Sequence, residues 1–195
     1  MEIAPASPAA WDALVDLFAR RGGPDTPGCW CIFWRVRSKD FAESTTASKR
    51  AQLRALIEAG SPPGLLALED GRAVGWVGLA PRPAYERIEH SRVIPRTDGP
   101  VPWVITCFVV SRDARGRGIA SALLAAAVDH ARAAGAEAVE GYPIDPSAAP
   151  GGRVRDTGAY TGTRSMFERA GFRLAAETTS KSGGVPRVVM RRDLP

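Results

Sequence analysis

The sequence predicts one α/β domain, a mixed central β-sheet flanked by helices. Three features predict it. Strand-like and helical stretches alternate along most of the 195 residues. Antiparallel strand pairs stand near both ends, over 64–79 and 172–191. Between them, Val104-Ile105-Thr106-Cys107-Phe108-Val109-Val110 is a near-continuous apolar run of the kind a strand buried on both faces requires. The length suits a single domain, with 1–62 as an N-terminal portion of helices and loop and 63–195 carrying the sheet.

Taken in order, residues 7–20 read as a first helix. Ser7 is placed to cap it, Pro8 fits its first turn, and Trp11, Leu14, Val15 and Phe18 recur at helical spacing. A Gly-Pro stretch over 22–28 ends it. Cys29-Trp30-Cys31-Ile32-Phe33-Trp34 follows, too aromatic for an ordinary surface loop. Residues 44–59 form a second helix with Leu53, Leu56 and Ile57 on one face and Gly60 as its stop. Asp70-Gly71, between the apolar runs 64–68 and 73–79, marks a hairpin turn. The stretch 81–100 is rich in proline and reads as loop with at most a short helix; 101–110 is a strand. Residues 116–134 are the clearest helix, with Ile119, Ala120, Leu123, Leu124, Ala127, Val128 and Ala131 in one stripe and Gly135 at its end. A strand over 138–142, a Pro/Gly-rich loop over 145–157, a short helix over 161–170 and strands over 172–179 and 185–191 complete the chain.

Composition narrows the functional classes. Hydrophobic residues make up 45% and charged residues 24%, enough for a buried core. No apolar run approaches the ~20 residues that span a bilayer, and the N-terminus lacks the pattern of a secretion signal, so a cytoplasmic location is expected. The formal charge is +5, and of 26 basic residues only Lys39, Lys49 and Lys181 are lysine, leaving 23 arginines. Arginine is the planar, permanently charged binder of phosphate, although it also serves as a plain surface cation. Three cysteines, two of them at Cys29 and Cys31, argue against a disulfide framework, and with His90 and His130 as the only histidines no metal site is expected.

Val109-Val110-Ser111-Arg112-Asp113-Ala114-Arg115-Gly116-Arg117-Gly118-Ile119-Ala120-Ser121 carries the chemistry. A buried strand passes through a short Arg-Gly-Arg-Gly turn into a long helix. The first turn of a helix has unpaired N–H groups and a partial positive charge, so it attracts anions. Glycines let a ligand approach the backbone, and Arg115 and Arg117 add charge at the rim. The arrangement reads as a pyrophosphate cradle. It is neither a Walker loop, for want of the Lys-Ser/Thr, nor Gly-x-Gly-x-x-Gly, since Ser121 holds the third position.

Arg115-Gly116-Arg117-Gly118-Ile119-Ala120 resembles the Arg/Gln-x-x-Gly-x-Gly/Ala signature of the GNAT (Gcn5-related N-acetyltransferase) superfamily, where it binds the acetyl-CoA pyrophosphate. Met166-Phe167-Glu168-Arg169-Ala170-Gly171-Phe172 resembles the end of that family's last helix, and Gly75-Trp76-Val77-Gly78-Leu79 fits its central sheet. The resemblance covers roughly 64–191 and implies a GNAT-like acyl-CoA-binding fold. It implies an N-acetyltransferase moving an acetyl group from acetyl-CoA, as co-substrate, to a primary amine by direct attack in a ternary complex. A small-molecule acceptor is expected, with a homodimer left open. By position, backbone groups of Phe108, Val109 and Val110 would hold the pantetheine arm like an added strand. Amides from Arg115 through Ser121, including Ile119 and Ala120, would hold the pyrophosphate, and a Val109 or Val110 N–H would face the oxyanion.

The chain departs from the family where the usual tyrosine acid stands, because Phe167 occupies that position beside the cofactor. Tyr160, seven residues earlier, is the candidate acid. Glu140, on one strand face with Tyr142, is the first candidate base, with a structural ion pair to an arginine as the competing reading. His90, Glu86 and Glu89 stand behind it. Cys29, Trp30, Cys31, Trp34 and Tyr142 are expected at the acceptor, where the aromatics would grip an apolar or cationic group or simply bury the loop. Two other classes stay open: a non-catalytic acyl-CoA-binding regulatory domain, and an arginine-rich nucleic-acid-binding module, against which stands the scatter of arginines from Arg20 to Arg192.

Overall fold

The computed structural model describes residues 1–19, 28–149 and 156–195. The expected Gly-Pro loop over 22–28 up to its last residue, the last residue of the first helix and part of the loop over 145–157 lie outside them. Seven strands form one mixed sheet in the order β1-β2-β3-β4-β5-β7-β6. They are β1 (Glu2–Pro5), β2 (Gly64–Glu69), β3 (Arg72–Pro81), β4 (Trp103–Val110), β5 (Ala138–Gly141), β6 (Arg173–Ser182) and β7 (Val185–Asp193). Every neighbouring pair is antiparallel except β4 with β5.

The β2–β3 hairpin turns at Asp70 (φ 49°) and Gly71 (φ 76°), the left-handed pair that Asp-Gly favours. Helix α5 (Ile119–Ala133) buries Leu123, Leu124, Ala127 and Val128 on one sheet face, against Leu65, Val77, Ile105 and Phe108. On the opposite face α1 (Trp11–Ala19) and α3 (Thr46–Glu58) bring Trp11, Leu14, Leu53 and Ile57 onto Leu66, Trp76 and Cys107. Each large apolar side chain so buried contributes about 1.5–3 kcal/mol.

Several boundaries differ from expectation. Strand β1 was not expected, since the first expected element begins at Ser7; its Pro5, which lacks an N–H, is tolerated on the sheet's edge. Ser7 makes no side-chain cap, and a 3-10 turn (Pro8–Ala10) precedes α1. Helix α3 starts two residues later than expected, after a reciprocal capping box between Thr45 and Ser48. The short helix α2 (Ser38–Glu43) was not expected, whereas α4 (Glu86–Glu89) is a short helix of the kind allowed for within 81–100. The expected helix over 161–170 is split: a 3-10 segment (Asp156–Thr161) ends at Gly162, and α6 (Arg164–Arg169) begins under a Thr163 cap.

The Gly-Phe after α6 has a local explanation. Gly171 N–H donates to Glu168 O and Phe172 N–H to Phe167 O, at 3.0 and 3.1 Å, while the Phe167 and Phe172 rings pack 4.9 Å apart. That is a Schellman ending, with Gly171 supplying the left-handed φ of 79°.

Candidate active site

The central strands form a fork. Strand β4 pairs with β5 only from Trp103 to Ile105, opposite Val139 to Gly141. The register of β4 on β3 then slips by one residue, leaving Thr106 as a bulge between Ile105 and Cys107, its hydroxyl donating to Gly78 O. A bulge bends and twists its strand. Strand β5 stops at Gly141, before Tyr142 and Pro143. From Thr106 to Val110, β4 therefore has β3 on one side and, among the described residues, no strand on the other.

Phe167 wedges the fork open. A Cβ at Gly141 would run into its ring, and Phe108 meets it edge-on at 6.3 Å. Only glycine permits that approach. Phe167 is itself completely buried, so the structure places it in the core beneath the fork and gives it no exposed surface for a cofactor.

The edge of β4 runs directly to the Arg-Gly-Arg-Gly turn. Gly116 (φ 75°) and Gly118 (φ 77°) adopt left-handed backbone, and nothing lies within 4 Å of where their Cβ atoms would be. Gly118 is the N-cap of α5 and no side chain caps the helix. Arg115, Gly116, Arg117, Gly118 and Ser121 are exposed, Ala120 is half-buried, and Ile119 anchors the helix start in the core. Arg117 is held at the rim by Glu69, 2.6 Å away. An uncapped amino end of a 15-residue helix, approached over two bare glycines, fits a pyrophosphate.

Glu140 and Tyr142 do share a strand face, but in a different setting from the one expected. Glu140 is fully buried, with Arg191 Nη1 at 3.2 Å, Arg82 Nη1 at 3.5 Å, and both Thr97 Oγ1 and Tyr142 Oη donating to it. The charges alternate outward: Arg82 pairs with Glu89, which pairs with Arg96, and Arg191 pairs with Asp193, which pairs with Arg173. The carboxylate is saturated and sealed from solvent, which is the ion-pair reading and leaves no lone pair for an incoming amine. Tyr142 is buried in the same knot, accepting from Arg82 at 2.9 Å, so it cannot line the acceptor site. Burial pushes its phenol well above the ordinary range. The reserve bases are engaged too: Glu86 with Arg37, Glu89 with Arg82 and Arg96, and His90 Nε2 within 3.2 Å of Arg37.

Tyr160 lies on the 3-10 segment, not on α6, and is half-buried near β4. Its hydroxyl accepts from Arg187 Nη2 at 2.8 Å, and burial holds its proton on by raising its pKa. The 29–34 segment comes to the same place. Trp30 and Cys31 take left-handed φ of 45° and 53°, a turn that points Trp30 into the core against Phe18 at 5.4 Å. Cys31 is buried under a hydrogen bond from Trp76 Nε1 at 3.0 Å, and its free thiol, hydrogen-bonded with that of Cys107 and desolvated, is pushed well above the ordinary range. Trp30 and Cys31 are thus packing residues, whereas Cys29 is exposed.

Trp34 is buried with Arg187 over its ring at 5.3 Å. Arg35 lies over Tyr85 at 4.8 Å, and Arg87 over Phe33 at 4.1 Å. The aromatic faces expected to grip a cation are already covered by the protein's own guanidiniums. Sequence reading did not single out Arg35, Arg87 or Arg187, and among 23 arginines only the aromatic run beside Arg35 offered a signal.

The same architecture is found in known proteins. The sequence model of the acetyltransferase (GNAT) family matches residues 29–145, which hold β2 to β5, the fork and the cradle. A search of curated protein sequences finds no relative. The ribosomal-protein-alanine N-acetyltransferase of Brucella melitensis is similar over all of both chains, at 16% identity and a TM-score of 0.58. An acetyltransferase of the histone acetyltransferase HPA2 and related group, from Corynebacterium glutamicum, shares 21% identity over 99% of this chain and 97% of its own, with a TM-score of 0.55. A Salmonella typhimurium structure described as an acetyltransferase with its cofactor acetyl-CoA shares 15% identity over 100% and 94% of the two chains, again at 0.55. With the family match covering more than half its length, this chain belongs to the GNAT family of acetyltransferases.

Proposed function

We propose that this protein transfers an acetyl group from acetyl-CoA to the primary amine of a small molecule, by direct attack with both substrates bound. The observation that carries this reading is the continuity of the unpaired β4 edge with the uncapped glycine cradle of α5. Bound acetyl-CoA supplies an activated thioester. The residues from Arg115 to Ser121 hold its pyrophosphate, and the β4 edge from Phe108 to Val110 holds its arm through backbone hydrogen bonds. A Val109 or Val110 N–H stabilises the negative charge that develops on the carbonyl oxygen.

Tyr160 serves as the acid: as the C–N bond forms and the C–S bond breaks, it protonates the departing CoA thiolate, and the surplus proton of the attacking amine passes to solvent. Its oxygen already accepts from Arg187, which leaves its own proton to donate. Glu140 is framework and not base. The guanidiniums of Arg187 and Arg87 near Tyr160 disfavour a further positive charge, so they lower the pKa of a bound ammonium and select the neutral, nucleophilic amine. Separate segments, bearing Trp34 and Arg35, Arg87, Tyr160 and Arg187, converge here, which suits a small acceptor.

Titration calorimetry with acetyl-CoA tests the cradle. A side chain at Gly118 is strained at φ 77°, and a carboxylate there meets the pyrophosphate. Gly118→Asp is expected to weaken binding at least about a hundredfold, roughly 2.7 kcal/mol. Equal affinity in a folded variant, or no binding by the wild type, contradicts the reading.

A further inference from the structure

Resting on the transferase reading, the charge of the acceptor itself follows from the groups around Trp34. We propose that the acceptor amine also carries an anionic oxyacid group, a carboxylate or a phosphate monoester, bound by Arg35, Arg87 and Arg187 beside Tyr160.

Arg187 is only 5% exposed. Its Nη1 donates to Ser180 Oγ and Lys181 O at 3.1 and 2.7 Å and its Nη2 to Tyr160, yet Nε is buried with no partner. Arg35 Nη2, Arg87 Nη2 and Trp34 Nε1 are likewise buried without partners. The other nitrogens of Arg87 reach only neutral oxygens, on Val36 and Ser38. Among the described residues none of these three guanidiniums meets a carboxylate. The other buried arginines do: Arg82 pairs with Glu89 and Glu140, and Arg191 with Glu140 and Asp193.

The four unsatisfied atoms of Trp34, Arg35, Arg87 and Arg187 are all donors. What they lack is an acceptor with several lone pairs, which an oxyanion supplies and an ammonium or hydrocarbon does not. Burial depresses the pKa of Arg187 and Arg87, as expected for cations awaiting a counter-charge. The aromatic faces nearby are occupied by guanidiniums, which removes the cation-binding alternative.

The test is equilibrium binding followed by NMR on 15N-labelled protein, reading the Trp34 indole N–H assigned with Trp34→Phe. Benzoate, phenyl phosphate and benzyl alcohol are the probes. At least one anion is expected to move that signal saturably and to bind about tenfold or more tightly than the alcohol, and which anion does so identifies the group. Arg187→Met is expected to abolish the shift. Because Arg187 is buried, Arg35→Met at a half-exposed position provides a second variant, expected to weaken the anion severalfold. Benzyl alcohol binding as well as the anions, or no anion moving the signal, overturns the proposal. Acetyl-CoA titrated into the same wild-type sample separates the two readings: its binding without the anion's refutes this inference alone, whereas its failure to bind refutes the transferase reading.

Discussion

Two arginine clusters stand on one face of the central sheet, and they end differently. Around Glu140, buried guanidiniums and carboxylates alternate until every charge has a partner. Around Trp34, Arg35, Arg87 and Arg187 meet aromatic rings, hydroxyls and carbonyls but, among the described residues, no carboxylate. A buried polar group without a partner costs about 1–3 kcal/mol, so a fold that keeps several in one place carries a cost that a ligand can offset. The difference teaches that burial and charge alone do not mark a catalytic group. Unmet hydrogen-bonding capacity marks a place for a ligand, and by that measure the sheet-borne carboxylate reads as framework.

The largest effect should come from emptying the balanced cluster. Glu140→Ala strands parts of Arg82 and Arg191 and is expected to cost roughly 3–5 kcal/mol, lowering the thermal midpoint by roughly 6–20 °C. A midpoint within a degree or two of wild type, by calorimetry, would break the contrast from that side. Tyr160→Phe should do the opposite. It removes one hydrogen bond, worth about 1 kcal/mol of stability, while thiol release on turnover falls at least about a hundredfold with acetyl-CoA affinity unchanged. Unimpaired turnover would remove Tyr160 from the chemistry.

The exposed pair Arg72–Asp113 sharpens the comparison with the smallest effect. At 2.5 Å it is shorter than any bond to Glu140 from an arginine, yet both side chains are about half exposed. The Arg72 guanidinium lowers the Asp113 carboxyl from an ordinary 3.8 to about 2. A depressed carboxylate contributes stability above its unfolded pKa and loses it as pH falls through the folded one. The difference in midpoint between wild type and Asp113→Asn should therefore be small above pH 4, vanish toward pH 2, and shrink with added salt. A difference rivalling that of Glu140→Ala would show that distance outweighs burial.

Much of this was legible in the sequence, for local reasons. The turn at Gly116 and Gly118, the stripe of α5, the Asp70-Gly71 hairpin and the Gly171-Phe172 ending are each fixed within a few residues, where spacing and backbone chemistry suffice. The fork was not, because it depends on the slip at Thr106 and on Phe167 meeting Gly141 from 26 positions away in the chain. The two clusters were beyond reach for the same reason. Nothing local separates Arg187, which meets no carboxylate among the described residues, from Arg191, which meets two, four residues along the same strand. Glu140 and Tyr142 were correctly put on one face, but their partners come from Arg82, Thr97 and Arg191.

The distinction between framework and site is tested most directly by the pH dependence of turnover in Glu140→Gln, with a primary amine that the wild type acetylates. Glutamine keeps the volume and part of the hydrogen bonding, so enough protein should fold for assay. A lowered thermal midpoint with the ascending limb of the pH–rate profile where the wild type has it is the predicted result. Loss or displacement of that limb at unchanged stability would make Glu140 the base and contradict the account.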